Sequence, residues 1–194
     1  MKRTVSLILA VLILASCALF ASCGSDRDED GTPKGMKLIS AESASYRFYV
    51  PTTWQADVAS GATTAYYTMT DTSSVSVMVF SLENSDSDVS DWWKSFLADF
   101  NNTFKDFELI SEDDEAVLDG APASRFVFTG SLVHEDEKSG TEQKETFKFM
   151  QVAAVKTKKL STPEVYVITY TSSPEVYDDH IEEVNKMVEE FRFN

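Results

Sequence analysis

The order of predicted elements specifies an α+β domain in which helices pack on an antiparallel sheet. Three observations predict it. Short runs of alternating apolar and polar residues recur between turn signals through most of the chain. A stretch with helical periodicity, residues 89–104, interrupts them. A second such stretch, residues 175–191, closes the chain.

Met36 to Ile39 reads as a first short strand, and Tyr46 to Val50 as a second with one face buried. Pro51 stops it, and Trp54 follows as a large aromatic that plugs one end of the core. Thr64 to Thr70 is rich in strand formers. Ser74 to Leu82 has Val75, Val77 and Val79 on one face and Met78, Phe80 and Leu82 on the other, the pattern of a central strand covered on both sides. Asp88 or Ser90 caps the helix that carries Trp92, Trp93, Phe96, Leu97, Phe100 and Phe104. That aromatic stripe is explained by packing against a sheet; a ligand groove lined by Trp92 or Trp93 is the alternative. Phe107 to Ala116 is a strand, and Asp119-Gly120 a turn into the strand Ser124 to Val133. His134 to Glu142 is expected to be a charged hairpin loop, and Lys156 to Pro163 a basic one. Thr146 to Lys156 and Val165 to Thr171 alternate again as strands. Ser173-Pro174-Glu175 resembles a helix start with proline in the first turn. Ile181, Val184, Met187, Val188 and Phe191 then form one apolar stripe.

The chain has 194 residues, room for one domain after a leader is removed. Residues 1–22 read as a lipoprotein signal peptide: Lys2 and Arg3, an apolar run from Val5 to Ala15 broken by Ser6, then small residues. The apolar stretch is shorter than the ~20 residues that span a bilayer, and no basic flank follows it. Two cysteines lie at its end. Leu14-Ala15-Ser16-Cys17 and Phe20-Ala21-Ser22-Cys23 each resemble the lipobox in which the cysteine receives diacylglycerol. Cys23 is preferred as the lipidated residue because the polar segment begins there, with Cys17 as the alternative. Residues 23–36 are read as a flexible acidic tether and 37–194 as the domain. The expected site of action is the extracytoplasmic face of a bacterial cell membrane, reached through acyl chains such as palmitate.

Net charge and cysteine usage narrow the function classes. The formal charge is -15, and loss of Lys2 and Arg3 with the leader takes it to -17. Such a surface repels nucleic-acid phosphates and anionic headgroups, so no nucleic-acid partner is expected and the lipid is the membrane contact. The domain has no cysteine, hence no disulfide, thiol nucleophile or thiolate metal site. Asp26 to Asp30 lacks the spacing of a calcium loop, and neither metal nor cofactor is implied. The sequence has no nucleophile elbow, phosphate-binding loop or zinc-protease motif, so no catalytic residue is assigned. His134 and His180 are expected to be solvated, and Arg125 to pair with a carboxylate across the sheet.

Five motifs in order resemble the PsbP-like family. They are Tyr46-Arg47-Phe48-Tyr49-Val50-Pro51-Thr52-Thr53-Trp54, the valine-rich run Ser74 to Leu82, the turn Gly120-Ala121-Pro122-Ala123, the strand Tyr166-Val167-Ile168-Thr169-Tyr170 and the terminal Phe191-Arg192-Phe193. The resemblance covers about residues 37 to 194. It implies the Mog1/PsbP-like fold, an α/β/α sandwich with a central antiparallel sheet flanked by helices, and a binding or assembly role; no functional residue is carried over. The leading expectation is therefore a non-catalytic, membrane-anchored module that binds a protein partner at the cell envelope. Trp54, Tyr66, Tyr67, Trp92 and Trp93 are its candidate contact surface. A carrier or sensor of a small solute is the alternative, and a carboxylate-based hydrolase a more distant one.

Overall fold

Hairpin-linked alternation produces a seven-stranded antiparallel sheet. The computed structural model describes residues 27–57, 63–68, 70–71, 73–84, 87–135, 141–157 and 162–194. The elements are β1 (Met36–Leu38), β2 (Tyr46–Arg47), β3 (Tyr49–Pro51), β4 (Gln55–Asp57), β5 (Thr63–Tyr66), β6 (Ser74–Ser81), α1 (Val89–Thr103), β7 (Lys105–Leu118), β8 (Ala121–Glu135), β9 (Glu142–Lys156), β10 (Glu164–Ser172), α2 (Tyr177–Glu189) and β11 (Arg192–Phe193). The large sheet runs β4-β5-β6-β10-β9-β8-β7, and two small ladders pair β1 with β3 and β11 with β2. Asp119 and Gly120 both take positive φ in the tight turn joining β7 to β8, the backbone twist a two-residue hairpin needs.

The two helices described lie on opposite faces, giving the α/β/α layering of the Mog1/PsbP-like architecture. The α1 layer joins Trp92, Trp93 and Phe100 to Phe126, Phe128, Phe149, Val165 and Val167 of the sheet. The α2 layer joins Val184, Met187 and Val188 to Val75, Val77, Val152, Ile168 and Tyr170. Gly130 lets α1 close on β8: a Cβ there would meet the Phe100 ring at 2.6 Å. Asp88 caps α1 in a reciprocal box, accepting from Asp91 N at 3.0 Å while its own N–H faces Asp91 Oδ2 at 3.5 Å. Neither helix is long and apolar enough to cross a membrane.

Four expectations change. Tyr46 to Val50 is not one half-buried strand. Arg47 pairs with Arg192, while Tyr49 and Val50 pair with Leu38 and Lys37, so the segment divides between two ladders. Phe48, fully buried at the division, has its N–H bonded to Ser40 Oγ at 3.2 Å. β6 lies inside the sheet, but its two sides are unequally covered: Val75 and Val77 on the α2 side are buried, whereas Met78 is 46% and Phe80 38% exposed. The charged hairpin is shorter than expected, because His134 and Glu135 pair with Gln143 and Glu142; residues 136–140 and 158–161 lie outside the described residues. Finally, α2 starts at Tyr177 with Val176 at the N-cap and no side-chain cap. Ser173 to Val176 form a preceding turn closed by Val176 N to Ser173 O at 3.3 Å.

Residues 27–34 belong to a separate unit. There Arg27 bridges Pro33, and Gly31 and Thr32 bond back to Asp28 and Asp30. The described part of the acidic segment is thus a hydrogen-bonded turn. Cys17 and Cys23 lie outside the described residues.

Candidate functional site

Where β6 ends, the capped N-terminus of α1 leaves a groove of about 670 Å³. The apolar side chains Phe80, Leu82, Trp92 and Phe96 line it. Leu82 is fixed by its N–H to Pro163 O at 2.9 Å. Three carboxylates, Glu83, Asp91 and Asp99, share the lining with one ammonium, Lys94, which lies 3.6 Å from Asp91. Both partners of that ion pair are more than half exposed, so it leaves the rim acidic rather than neutralised.

The groove continues onto bare sheet. α1 packs over β7, β8 and β9. On the same face, beyond Met78, β6 and β10 place Ser76 opposite Thr169 and Ser74 opposite Thr171. β5 adds Thr64 opposite Ser76 and Tyr66 opposite Ser74. No described helix covers this half. Gln151, paired in register with Thr169 and 4% exposed, donates from Nε2 to Thr169 Oγ1 at 3.2 Å, while its Oε1 is buried without a partner.

The five aromatics proposed as one contact surface are divided among four places. Trp92 lines the groove, although it is buried. Trp93 is core, stacked on Phe126 with centroids 3.9 Å apart and planes 7° apart. Tyr66 stands half-buried on the bare face. Trp54 is fully buried, and Tyr67 packs on it at 5.8 Å on the α2 side. The correction has a simple cause: helical spacing puts Trp92 and Trp93, and the turn after Pro51 puts Trp54, where apolar area is removed from water. The residues that sequence reasoning missed are Met78 and Phe80, assigned to a covered strand face.

His180 is a second correction. It is buried, not solvated, because it lies four residues before Val184 on the inward side of α2. Nε2 meets Asp71 Oδ2 at 2.9 Å and Nδ1 faces Glu183 Oε2 at 3.5 Å. Glu183 also accepts from Trp54 Nε1 at 2.9 Å, and the Tyr67 ring centroid lies 4.1 Å from the imidazole. Burial raises the Asp71 carboxyl, but hydrogen bonds from Ser73 and His180 outweigh it and hold the group below the usual carboxylate range. The nearby Ser73 hydroxyl is bonded to Ser172 Oγ at 2.9 Å, not to the imidazole. The arrangement ties α2 to the loop before β6. Its carboxylates face separate ring nitrogens, and among the described residues no group of three His, Cys, Asp or Glu side chains is placed to hold a metal.

No protein-family model matches the chain, and no curated protein matches it by sequence. Solved structures do match by shape. LpqN, involved in cell envelope biogenesis of Mycobacterium tuberculosis, superposes with a TM-score of 0.54 at 14% identity, over 82% of this chain and 90% of LpqN. Cyanobacterial PsbP (CyanoP) from Synechocystis sp. PCC 6803 gives 0.53 at 14% identity, over 90% of this chain and 98% of that one. The Saccharomyces cerevisiae Ran-binding protein Mog1p gives 0.48 at 13% identity, over 81% and 95%. At these identities the likeness establishes the fold: the domain is distantly similar in structure to the Mog1/PsbP-like proteins.

Proposed function

We propose that this protein is a non-catalytic binding module of the cell envelope. On this reading it is held at the extracytoplasmic membrane face by acyl chains on Cys23, or on Cys17 in the alternative register, and docks a protein partner in the groove between β6 and α1. The observation that carries the docking reading is the acid-rimmed apolar groove running onto uncovered sheet at Met78 and Phe80. The charge selects the occupant. Three carboxylates against one ammonium, on a chain of net charge -15, favour a segment that inserts apolar side chains and flanks them with Lys or Arg. The lipobox-like leader supports the anchor, and the fold shared with LpqN, a protein of cell envelope biogenesis, supports the setting.

A photoreactive benzoylphenylalanine at position 80 of the membrane-anchored full chain tests this. The expected result is an adduct with one protein segment that is apolar and basic, lost on Asp99→Lys with Glu83→Lys, and absent when the probe stands at the exposed Glu182. Adducts with lipid alone, or with segments lacking basic residues, overturn it. The groove also has the volume of a small-ligand site. A copurifying small molecule that quenches Trp92 would favour the solute-carrier reading instead. Mass analysis of the mature N-terminus, with Cys23→Ser beside the natural chain, tests the anchor: an unacylated mature chain removes it.

A further inference from the structure

The groove beside α1 lies where a second helix of that layer would stand. α1 packs over β7, β8 and β9 and leaves β10, β6 and β5 uncovered by any described helix. Neighbouring strands are about 4.8 Å apart, so the uncovered width is about 10 Å, the diameter of one helix with its side chains. One row of α1 faces the opening. Asp91, Ser95 and Asp99, four residues apart, all line the groove and are all exposed. The row runs about 12 Å along the helix axis, with the short Ser95 side chain at its middle. Rows of this spacing are the ridges along which helices pack on one another. Beneath it Trp92 and Phe96 form one apolar wall, their ring centroids 5.4 Å apart, and Phe80 and Leu82 at the end of β6 form the other.

Backbone hydrogen bonding limits what can lie there. β6 is paired on both sides, with β5 and with β10, so it offers no free edge to an added strand. An extended segment laid across the side chains of a paired strand would hold unpaired amide groups against Phe80 and Leu82. A helix pairs its own backbone groups and presents side chains alone. Charge then fixes which side chains. Asp91 is already engaged, by the Asp88 N–H at 3.5 Å and by Lys94 at 3.6 Å. The carboxylates of Asp99 on the α1 wall and Glu83 on the β6 wall have no hydrogen bond or ion pair among the described residues. An occupant therefore meets an uncompensated acid on either side of its apolar stripe.

We propose that the partner segment is an amphipathic basic helix of about three turns, seated against the Asp91, Ser95 and Asp99 row as a second helix of the α1 layer. Its apolar stripe enters between Phe80 and Phe96. Lys or Arg on one flank of the stripe meets Asp99, and on the other flank Glu83. The apolar stripe is short, because beyond Met78 the uncovered sheet turns to Ser76, Thr169, Ser74 and Thr171. This inference rests on the docking reading and adds to it the conformation of the partner and the placement of its charges. A second copy of this chain does not fit: α1 sets Asp91 and Asp99 against Lys94 alone, and α2 is more acidic still.

Two synthetic leucine–lysine peptides of one composition, each about 14 residues long, test it. One carries leucine at helical spacing with lysine flanking the stripe, and its isomer alternates leucine with lysine as a strand does. Each is titrated into the full chain and read by the amide NMR resonances of Phe80, Ser95 and Asp99. The helical isomer should move all three saturably at ~1 mM or below, and the alternating isomer should bind about tenfold more weakly or worse. Asp99→Lys should weaken the helical isomer by about tenfold, whereas Glu182→Lys, the same change of net charge on α2, should alter it by about twofold or less. Equal or tighter binding of the alternating isomer at these residues overturns the helical form and leaves the docking reading intact. Equal weakening by the two lysine substitutions reveals attraction to net charge alone and overturns the groove as the seat of the helix. Self-association of the unliganded chain through the same residues makes a second copy the occupant and overturns the inference. No saturable shift with either isomer also overturns it, whereas the docking reading falls only if the probe at position 80 captures no protein.

Discussion

The two faces of the sheet are built from different materials. On the α2 side most aromatic side chains carry polar tips, and several find a specific partner. Tyr46 donates to Thr63 Oγ1 at 2.7 Å, Trp54 to Glu183 at 2.9 Å, Tyr166 to Ser45 Oγ at 2.9 Å and Tyr170 to the Tyr177 carbonyl at 3.0 Å. On the α1 side the cluster is mainly phenylalanine: Phe96, Phe100, Phe104, Phe107, Phe128 and Phe149 meet in stacked and edge-on pairs. Directed bonds set one register between helix and sheet, whereas apolar contact is non-directional. The α2 side is wrapped by helix, two small ladders and loops. The α1 side is covered over part of its width and bare beyond, and the proposed docking surface begins at that boundary.

The largest effect should come from breaking the aromatic layer. Phe128 is fully buried and touches Trp93, Phe96, Phe100, Phe107 and Phe149. Phe128→Ala is expected to cost about 3–5 kcal/mol, measured by urea denaturation with the slope unchanged. Gly130→Ala attacks the same layer by overfilling it. The Phe100 ring it would strike is held by Phe96, Phe104 and Phe149, so the contact is not relieved by a simple rotation. A loss of about 1–3 kcal/mol is expected.

On the opposite face the test is electrostatic. Asp71→Asn should cost about 1–2 kcal/mol at neutral pH by weakening the bond to His180. Its pH signature follows from the depressed Asp71 carboxyl. The unfolded chain takes up that proton near pH ~4, before the folded protein does, so the contribution is present above that pH and lost as pH falls through the lower folded value. The stability gap between natural protein and Asp71→Asn should therefore narrow on acidification below pH ~4, and a gap that widens would contradict the assignment.

The legible and illegible parts of the molecule divide along the same line. Local patterns carried α1 with its Asp88 cap, the Asp119-Gly120 turn and the long alternating strands, because each depends on residues within a turn or a strand of one another. His180 misled because its sequence neighbours are acids, and its burial depends on Asp71 and Trp54, 109 and 126 positions away. Arg125 misled for a related reason: strand register put Asp113 opposite, but a shift in that register spent the carboxylate on Glu115. The contact surface misled most. Large aromatics mark burial as readily as binding, and only the width of α1 relative to the sheet decides which. That width was hidden, since Met78 and Phe80 alternate just as covered core residues do.

The smallest stability effect is also the most discriminating, because it compares neighbours within a single strand. Val77 and Met78 are adjacent in β6; Val77 is 2% exposed on the α2 side and Met78 46% exposed on the other. Val77→Ser removes buried methyl groups and places a hydroxyl in the core, and should cost about 2–4 kcal/mol. Met78→Ser with Phe80→Ser removes far more apolar surface but from a half-solvated face, and should change stability by about 0.5 kcal/mol or less for each. Strand propensity barely separates these changes, so the difference between them measures coverage by the opposing layer. If the double substitution were as costly as Val77→Ser, the bare half of the sheet would be core after all and have no partner to dock. If it is nearly neutral and also abolishes crosslinking from position 96 at the far wall of the groove, the apolar residues exposed on β6 serve recognition rather than folding.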